Sequence, residues 1–442
     1  MQRVTLVVII LSCLLSESIG KVGFGPGEQD WGHVTVRQYS HMFWWLYYTT
    51  ANVQSYYEKP LLIWLQGGPG GSSTSYGNFE ELGPLDTNLK PRNYTWIKNY
   101  NVLFIDNPVG TGFSYVENSE AYARTNEQIA IDLVECMKGF LKKLPKFSNV
   151  PTYILTESYG GKMGAEFALV WYKEQQAGTI RSNLKGVGLG DAWISPIDSV
   201  MTWAPFLLST GMIDSNGYKK IEISAKATKD AINNGRWSMA TTLWSQTENV
   251  ILKVTDNIDF YNILTKLSPA HDRSRILGLS SIYTVGDAKY HNLIQQNGRS
   301  LEDLMNGPVK TALGLKNFHG RQSNMVFGML MEDFMKPVVD KVELLLNETN
   351  INVFVYTGHM DLIVDTPGTV LWVDNMNWKN SYNWRNAKRL SLVSDRIIEG
   401  YSKSYSNFGL YWVNRAGHMV PKDNPAAMAQ ILKDLTANAY TK

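Results

Sequence analysis

Residues 153–164 read Tyr153-Ile154-Leu155-Thr156-Glu157-Ser158-Tyr159-Gly160-Gly161-Lys162-Met163-Gly164. An apolar run of strand length leads into Ser158, and two glycines and an amphipathic helical pattern follow it. A nucleophilic serine on a sharp strand-to-helix turn needs this arrangement, because its backbone is strained and small neighbours let the chain pass close to itself. Gly160 supplies a small residue after the serine, but Thr156 stands where a second one is usual. The stretch predicts a nucleophile elbow at Ser158, and the motif alone leaves a chance turn open as the alternative.

A second serine with nearly the same neighbours helps to weigh these alternatives. It is Ser75, in the stretch Ser73-Thr74-Ser75-Tyr76-Gly77. No buried-strand pattern runs directly into Ser75, and no long helical pattern begins after it. The context therefore favours Ser158.

Other apolar runs of strand length lie on both sides of the elbow. A hairpin is predicted from residues 34–39 and 42–49, and single strands from residues 61–65, 102–105, 153–155, 184–189, 353–356 and 410–413. Helical patterns fall between them, at Asn126–Leu144 and Met163–Gln176. Alternation of strands and helices predicts an α/β fold with a mainly parallel, doubly wound sheet.

The alternation stops between Pro196 and Pro337. That stretch has mostly helical patterns with polar spacers, and we interpret it as a helical cap inserted between two late strands of the sheet. The predicted organisation is a hydrolase-like core at 21–195, the cap at 196–337 and the rest of the core at 338–442.

A glycine-rich loop follows the strand at residues 61–65 and reads Gln66-Gly67-Gly68-Pro69-Gly70-Gly71-Ser72-Ser73. Glycine lets the backbone approach a reacting carbonyl, and such a loop supplies one N–H of an oxyanion hole, while the residue after the nucleophile supplies the other. The predicted donors are the N–H groups of Gly68 and Tyr159. A phosphate loop is excluded, because no Gly-Lys-Ser/Thr follows.

An acid and a base must follow the serine along the chain, in that order. Asp361 lies just past the strand at 353–356, with Asp365 as a rival four residues on, and His418 lies in a glycine-containing loop after the strand at 410–413. His359 precedes Asp361 and is too near it. We predict that His418 takes the proton from Ser158 and that Asp361 orients and stabilises the imidazole. Ser158, Asp361 and His418 in this order are typical of the α/β-hydrolase fold.

Four segments together resemble the serine carboxypeptidase family, and the resemblance spans nearly the whole mature chain. They are the Gly-Gly-Pro-Gly loop, Glu157-Ser158-Tyr159, the block Asp106–Tyr115, and Gly417-His418-Met419-Val420-Pro421. Further segments, among them Met331–Pro337 and Asp361–Thr366, resemble one branch of that family. Departures are Gln66 where the family usually has Asn, Gly71 where it has Cys, and Thr156 where it has Gly.

The resemblance implies removal of C-terminal residues from peptides at acidic pH, through an acyl-enzyme and with neither cofactor nor metal. It also implies a site for the substrate carboxylate, formed by Gln66, Gly67, Glu80 and Glu157. Two carboxyls held close together share a proton, which can be donated to the substrate carboxylate. From the residues alone, Glu80 would be a solvated surface acid. An acyltransferase or esterase on the same triad, and a weakly active binding protein on the same fold, remain the alternatives.

The N-terminus and the composition concern where the protein works. Residues 4–15 form an apolar run after Arg3, too short to span a bilayer comfortably, and Ser18 and Gly20 permit cleavage after Gly20. We therefore predict a signal peptide at 1–20 and a secreted or lysosomal protein without stable membrane insertion. A net charge of +2 gives no case for a nucleic-acid partner.

Two sequons and one cysteine complete the expectations for the mature chain. Asn93 and Asn347 begin sequons and are predicted glycosylation sites. Cys136 is the only cysteine after the signal peptide, so no internal disulfide can form. Its helical, apolar context predicts a buried and inert thiol.

Overall fold

A computed structural model describes residues 20–267, 300–320 and 323–437 of the chain. The predicted signal peptide lies outside these residues except for Gly20. Among the described residues, no helix combines the length and apolar character that a bilayer crossing would require.

One twelve-stranded sheet organises the described part of the chain. Its strands are β1 Lys21–Val22, β2 Glu28–Arg37, β3 Ser40–Tyr47, β4 Leu61–Leu65, β5 Asn101–Asp106, β6 Tyr115–Val116, β7 Thr152–Glu157, β8 Leu184–Gly190, β9 Asn352–Gly358, β10 Arg389–Ser394, β11 Ile397–Tyr405 and β12 Phe408–Val413. Their spatial order is β1-β2-β3-β5-β4-β7-β8-β9-β12-β11-β10, and β6 pairs with β3. The predicted hairpin and single strands are all found, several of them with longer extents, whereas both hairpin strands end two residues earlier than predicted.

The six central strands, from β5 to β12, are mutually parallel, whereas both margins of the sheet are antiparallel. The margin formed by β10 and β11 was not predicted. Leu392 is the single buried residue of β10, so that strand has no continuous apolar run of the kind that predicts a buried strand.

Helices cover both faces of the sheet. The α-helices are α1 Asn126–Lys143, α2 Tyr159–Ala177, α3 Pro196–Ser209, α4 Ser215–Asn233, α5 Trp237–Val254, α6 Leu301–Leu304, α7 Lys310–Ala312, α8 Asn324–Met329, α9 Val339–Glu348, α10 Thr366–Asn375, α11 Ser381–Arg385, α12 Val420–Asp423 and α13 Pro425–Thr436. The 3₁₀-helices are Tyr56–Glu58, Trp96–Lys98, Ser119–Ala121 and Pro145–Asn149, and the π-helices are Ser73–Leu82 and Met305–Val309. Both predicted helical patterns are confirmed as α1 and α2.

Strand β4 shows how the core is divided by the sheet. Leu61, Ile63 and Leu65 pack into one apolar cluster, and Leu62 and Trp64 pack into another. Because successive side chains of a strand point to opposite faces, the two clusters lie on opposite sides of the sheet. Helices α1, α2 and α9 contribute to the first cluster, and α13 contributes to the second. A strand covered on both faces explains the continuous apolar run in its sequence.

Helix α1 carries the single mature cysteine. Thr125 caps its first turn by accepting a hydrogen bond from the N–H of Gln128. Cys136 is fully buried, and burial raises the pKa of its thiol. The structure thus agrees with the prediction of a buried thiol, and a raised pKa disfavours the reactive thiolate.

The described parts of residues 196–337 contain helices and no named strand. Strands β8 and β9 are nevertheless neighbours with parallel pairing. The chain therefore leaves the sheet after β8, builds this helical segment and returns to the adjacent position. Two contacts join this segment to the loops that follow β12 and β9: the Tyr261 carbonyl accepts from the His418 N–H, and the Ile263 N–H donates to the Met360 carbonyl. The division of the segment from the core at residues 196 and 337 stays a prediction.

Candidate active site

Ser158 occupies the turn between β7 and α2. Its backbone has φ 62° and ψ −130°, a conformation that residues with a side chain rarely adopt. The turn is held by hydrogen bonds from the Ser158 N–H to the Gly190 carbonyl (3.0 Å) and from the Trp193 N–H to the Ser158 carbonyl (2.9 Å). Ser158 is partly exposed, so the strained turn presents its hydroxyl at the carboxyl edge of the sheet.

Close packing explains both the glycines around the elbow and the threonine that departs from the usual pattern. A Cβ atom on Gly160 would clash with the carbonyl oxygen of Leu65. A Cβ atom on Gly164 would come within 2.5 Å of Cγ2 of Thr156. The side chain of Thr156 thus occupies space that Gly164 leaves free, and its hydroxyl donates to the Gly188 carbonyl (3.0 Å). The elbow therefore forms without a glycine at position 156.

Asp361 and His418 meet beyond the ends of β9 and β12. The Nδ1 atom of His418 lies 2.6 Å from Oδ2 of Asp361, and both side chains are fully buried. The N–H of His418 donates to the Tyr261 carbonyl (2.8 Å), and the Tyr261 ring packs edge-on against the imidazole. Nε2 of His418 is buried and makes no hydrogen bond with any described residue. The Ser158 hydroxyl therefore does not hydrogen-bond His418 in this structure, and the pairing of these two residues stays a prediction.

Asp365, the rival acid, is directed elsewhere. Its Oδ1 accepts a hydrogen bond from the Thr202 hydroxyl (3.0 Å), and burial raises the pKa of its carboxyl well above the usual value. Asp365 precedes the first residue of α10, so its position is set by the start of that helix. The structure brings Asp361, and not Asp365, to the histidine.

The glycine-rich loop lies directly against the elbow. A Cβ atom on Gly67 would approach Cβ of Ser158 to 2.5 Å and its hydroxyl oxygen to 3.0 Å. Tyr159 is the first residue of α2, and the first N–H groups of a helix have no partner within it. The structure thus places the loop that carries Gly68 beside the nucleophile and the N–H of Tyr159 at the helix start.

Gln66 joins two carboxyls next to the nucleophile. Its Oε1 accepts from the Trp64 indole (2.7 Å), which fixes the amide orientation because the indole can only donate. Its Nε2 then donates to Oε1 of Glu81 (3.0 Å) and Oε1 of Glu157 (2.9 Å). The two carboxyls also hydrogen-bond each other, and burial raises the pKa of Glu81.

The acid beside Gln66 and Glu157 was predicted from the sequence as Glu80, and the structure corrects this to Glu81. The two glutamates are neighbours on the π-helix Ser73–Leu82, where successive side chains point in different directions. Glu80 is 4% exposed, so its interpretation as a surface acid is also wrong. Ser75, the second serine with similar neighbours in sequence, lies in the same helix and is buried.

A buried ion pair missed by the sequence reading supports the helix that follows the nucleophile. Nζ of Lys162 lies 2.7 Å from Oδ2 of Asp333, and the Tyr159 hydroxyl donates to the same oxygen (2.9 Å). Lys162 also donates to the Lys336 carbonyl (2.9 Å). Asp333 therefore ties two residues of α2 to the segment that precedes β9. A lysine in an otherwise apolar helix face was the available signal.

Replacing Lys162 is expected to destabilise the fold. Lys162→Met leaves the Asp333 carboxylate buried without its cation, and breaking a buried pair in this way typically costs ~3–5 kcal/mol. Lys226 and Glu222 form an exposed pair on α4, so Lys226→Met is the matched control and should change stability by under ~1 kcal/mol. Denaturant unfolding of the two variants measures the difference, and equal stabilities would show that the buried pair is not important for stability.

Comparison with known proteins adds three findings. The family described as serine carboxypeptidase matches residues 22–438. Retinoid-inducible serine carboxypeptidase of Mus musculus is 44% identical, with 98% of each chain covered, and that of Homo sapiens is 43% identical, with 97% of this chain and 96% of the relative covered. Serine carboxypeptidase-like 51 of Arabidopsis thaliana is 36% identical, with 98% of this chain and 99% of the relative covered.

A solved structure supports the fold. The crystal structure of Kex1(delta)p, a prohormone-processing carboxypeptidase from Saccharomyces cerevisiae, superposes with a TM-score of 0.78 at 22% identity, covering 93% of this chain and 92% of that one. The chain has the α/β-hydrolase fold, as predicted. The branch resemblance seen in Met331–Pro337 and Asp361–Thr366 is confirmed by the matches to retinoid-inducible serine carboxypeptidase. By family match and by identity over nearly its whole length, the chain belongs to the serine carboxypeptidase family.

Proposed function

We propose that this protein removes C-terminal residues from peptides at acidic pH, with Ser158 as nucleophile, His418 as base and Asp361 as the orienting acid. The observation that supports it most is the pair of carboxyls beside the nucleophile. Glu157 precedes Ser158 directly, and it shares the amide of Gln66 with Glu81. Two carboxyls that share a proton next to the nucleophile can bind the free C-terminal carboxylate of a peptide.

The proposed reaction proceeds in two halves. The hydroxyl oxygen of Ser158 attacks the carbonyl carbon of the last peptide bond while Nε2 of His418 takes its proton. The N–H groups of Gly68 and Tyr159 hold the negative oxygen of the tetrahedral intermediate. His418 then gives the proton to the leaving amino group as the C–N bond breaks. Water attacks the acyl-serine by the same route and releases the shortened peptide.

Recognition of the substrate carboxylate depends on a proton in the carboxyl pair. Both hydrogens of the Gln66 amide already serve Glu81 and Glu157, so the donor to the substrate must come from a protonated carboxyl and from the backbone of Gly67. Burial raises the pKa of Glu81, which keeps the proton available in mildly acidic solution. Above that pKa the pair loses its shared proton, and two negative charges then repel the substrate carboxylate.

Hydrolysis of matched substrates tests this proposal. A blocked dipeptide with a free carboxylate and its C-terminal amide are compared at pH values near 5. The proposal expects the acid to be hydrolysed far faster than the amide. Equal rates, or transfer of the acyl group to an added alcohol in preference to water, would instead support an esterase or acyltransferase.

Separate replacement of Glu80 and Glu81 by glutamine distinguishes the roles of these two neighbouring glutamates. In the wild type, KM for the dipeptide should rise about tenfold for each pH unit above the pKa of the pair, because binding requires one proton. Glu81→Gln keeps a donor that does not titrate, so the rise should flatten. Glu80→Gln should keep the wild-type rise. If the KM profile against pH became flat in Glu80→Gln alone, the role in binding the substrate carboxylate would belong to Glu80. An ester substrate without a free carboxylate serves as the reference.

We also propose passage through the secretory pathway, with delivery outside the cell or to the lysosome. Asn93 and Asn347 are exposed, as glycosylation requires. The two sites differ, because Oδ1 of Asn347 accepts a hydrogen bond from the Lys379 N–H (2.9 Å), which glycosylation would have to accommodate. Asn93 is the more accessible acceptor of the two.

A further inference from the structure

A second buried acid lies beside the triad acid, at the end of the neighbouring strand. Asp191 directly follows β8, is 1% exposed and has φ 38°. Its N–H donates to the Tyr356 carbonyl (2.8 Å), and its Oδ1 accepts from the Gly358 N–H (2.8 Å). Gly358 ends β9 and leads into the loop that carries Asp361. Asp191 is thus fixed at both its backbone and its carboxyl to the strand that positions the triad acid.

The partners of the two carboxyls concern the proton that lies between them. Asp361 accepts from Nδ1 of His418 through Oδ2 and from the Val364 N–H through Oδ1 (3.3 Å). The Oδ1 atom of Asp191 accepts from the Gly358 N–H, and the Thr357 hydroxyl also hydrogen-bonds this carboxyl, so neither of these two donors is an ionisable group. The carboxyls of Asp191 and Asp361 are hydrogen-bonded to each other, which requires a proton between them. Burial and the charge of Asp361 raise the pKa of Asp191 well above the usual value, so Asp191 holds this proton.

We propose that Asp191 is a positioning residue of the catalytic site, whose protonated carboxyl donates a hydrogen bond to Asp361 and holds that carboxylate against Nδ1 of His418. The donated bond fixes the orientation of the Asp361 carboxylate. Asp191 thereby keeps the acid of the triad in place against the imidazole. This inference rests on the proposed triad.

The other ionisable groups around the two acids do not replace this donor. Asp365 also faces Asp361, but Thr202 and the backbone of Gly368 engage its carboxyl. The Tyr261 ring lies against His418, and its pKa is raised by burial and by surrounding carboxylates that include Asp361. The hydroxyl of Tyr356 donates to the Thr156 carbonyl (2.9 Å). Glu157 and Glu81 act on Tyr356 along with Asp191, and they belong to the carboxylate site already described.

Two variants test the role. Asp191→Asn keeps one donor toward Asp361 and one acceptor for the Gly358 N–H, and asparagine tolerates the positive φ. Asp191→Gly removes the carboxyl and also tolerates that φ, which alanine would not. The measurement is the rate at which a neutral alkyl fluorophosphonate modifies Ser158 from about pH 4 to pH 8, where histidine titrates. The reaction reports activation of the serine without recognition of a peptide.

The expected results differ between the two variants. Asp191→Asn should label two- to threefold more slowly than the wild type, as expected for a weaker but retained hydrogen bond of roughly the same geometry. The fall in its labelling rate on the acidic side of the pH profile should lie within about 0.2 pH unit of the wild-type fall, since no charge has changed. Asp191→Gly should label about tenfold more slowly. The much smaller loss in Asp191→Asn would show that the donated hydrogen bond, and not the acid itself, produces the effect.

Several outcomes would overturn the proposal. If Asp191 were ionised, Asp191→Asn would remove a negative charge, and the fall in labelling rate on the acidic side of the profile would move to lower pH. If the probe modified Asp191→Gly as fast as the wild type, Asp191 would have no positioning role in the triad. If the glycine variant does not fold, infrared difference spectra of wild type and Asp191→Asn at neutral pH show whether Asp191 is protonated. Loss of a protonated-carboxyl carbonyl band supports the proposal, and an unchanged band region contradicts it. Labelled protein that fails to cleave peptides would overturn the proposed function alone, whereas wild type that is not labelled would remove the triad.

Discussion

Ser158→Ala should lower kcat/KM for a blocked dipeptide by about 10⁵- to 10⁶-fold, to the level that binding and oxyanion stabilisation alone sustain. The expectation follows from geometry. Ser158 is the residue held in the strained turn between β7 and α2, and the glycine-rich loop lies against its hydroxyl.

Ser75→Ala is the matched control, because Ser75 has almost the same neighbours in sequence. Its hydroxyl is buried inside the π-helix Ser73–Leu82 and faces the Ser72 carbonyl. We expect the control to keep activity within about threefold of the wild type, since it loses only a weak hydrogen bond. A large loss in Ser75→Ala together with activity in Ser158→Ala would reverse the assignment.

Asp361→Asn carries the second-largest expected effect, a fall in kcat of about 10⁴-fold. The Asp361 carboxylate accepts the proton on Nδ1 of His418 at 2.6 Å, which leaves Nε2 free to act as base. An asparagine can turn its amide N–H toward Nδ1 and so favour the wrong tautomer. KM should change little, because the Asp361 side chain is fully buried.

The control for this variant is Asp365→Asn, at the rival acid four residues further on. Asp365 engages Thr202, and its amide analogue retains an oxygen for that bond. Steady-state kinetics of both variants at one pH separate the two acids, with Asp365→Asn expected to lose less than about tenfold in kcat. If Asp365→Asn were the more damaged enzyme, the triad would have to be reassigned to it.

The positions of the proposed triad residues could be predicted because each follows a buried parallel strand. Such strands have continuous apolar runs, and their carboxyl ends gather at one edge of the sheet. Order along the chain then left few choices for the acid and the base. The antiparallel hairpin of β10 and β11 lacks such a signal, because most of its residues are exposed and alternate irregularly.

The carboxylate site was only partly predictable, for a reason of local geometry. Gln66 and Glu157 adjoin recognisable motifs, so their place in space follows from the strands that carry them. Glu81 lies on a π-helix, a rare element whose phase the sequence does not reveal. Choosing between Glu80 and Glu81 required knowing which of two adjacent side chains points toward Gln66.

Residues that act through a neighbour were missed altogether. Asp191 and Asp333 lie far from their partners in sequence, and each has meaning only once the partner is known. A buried acid after a strand resembles an ordinary turn residue in the sequence. Its role becomes visible when the folded chain brings it to Asp361.

The measurement that tests the central claim most directly is identification of the residue that a fluorophosphonate modifies. Wild-type protein is treated with the probe near pH 5, digested and mapped by tandem mass spectrometry, with heat-unfolded protein as the control. The proposed triad predicts one added phosphonyl group, located on Ser158 and absent from the unfolded control. Modification at Ser75, or no modification of the folded protein, would contradict the assignment of Ser158 as the nucleophile.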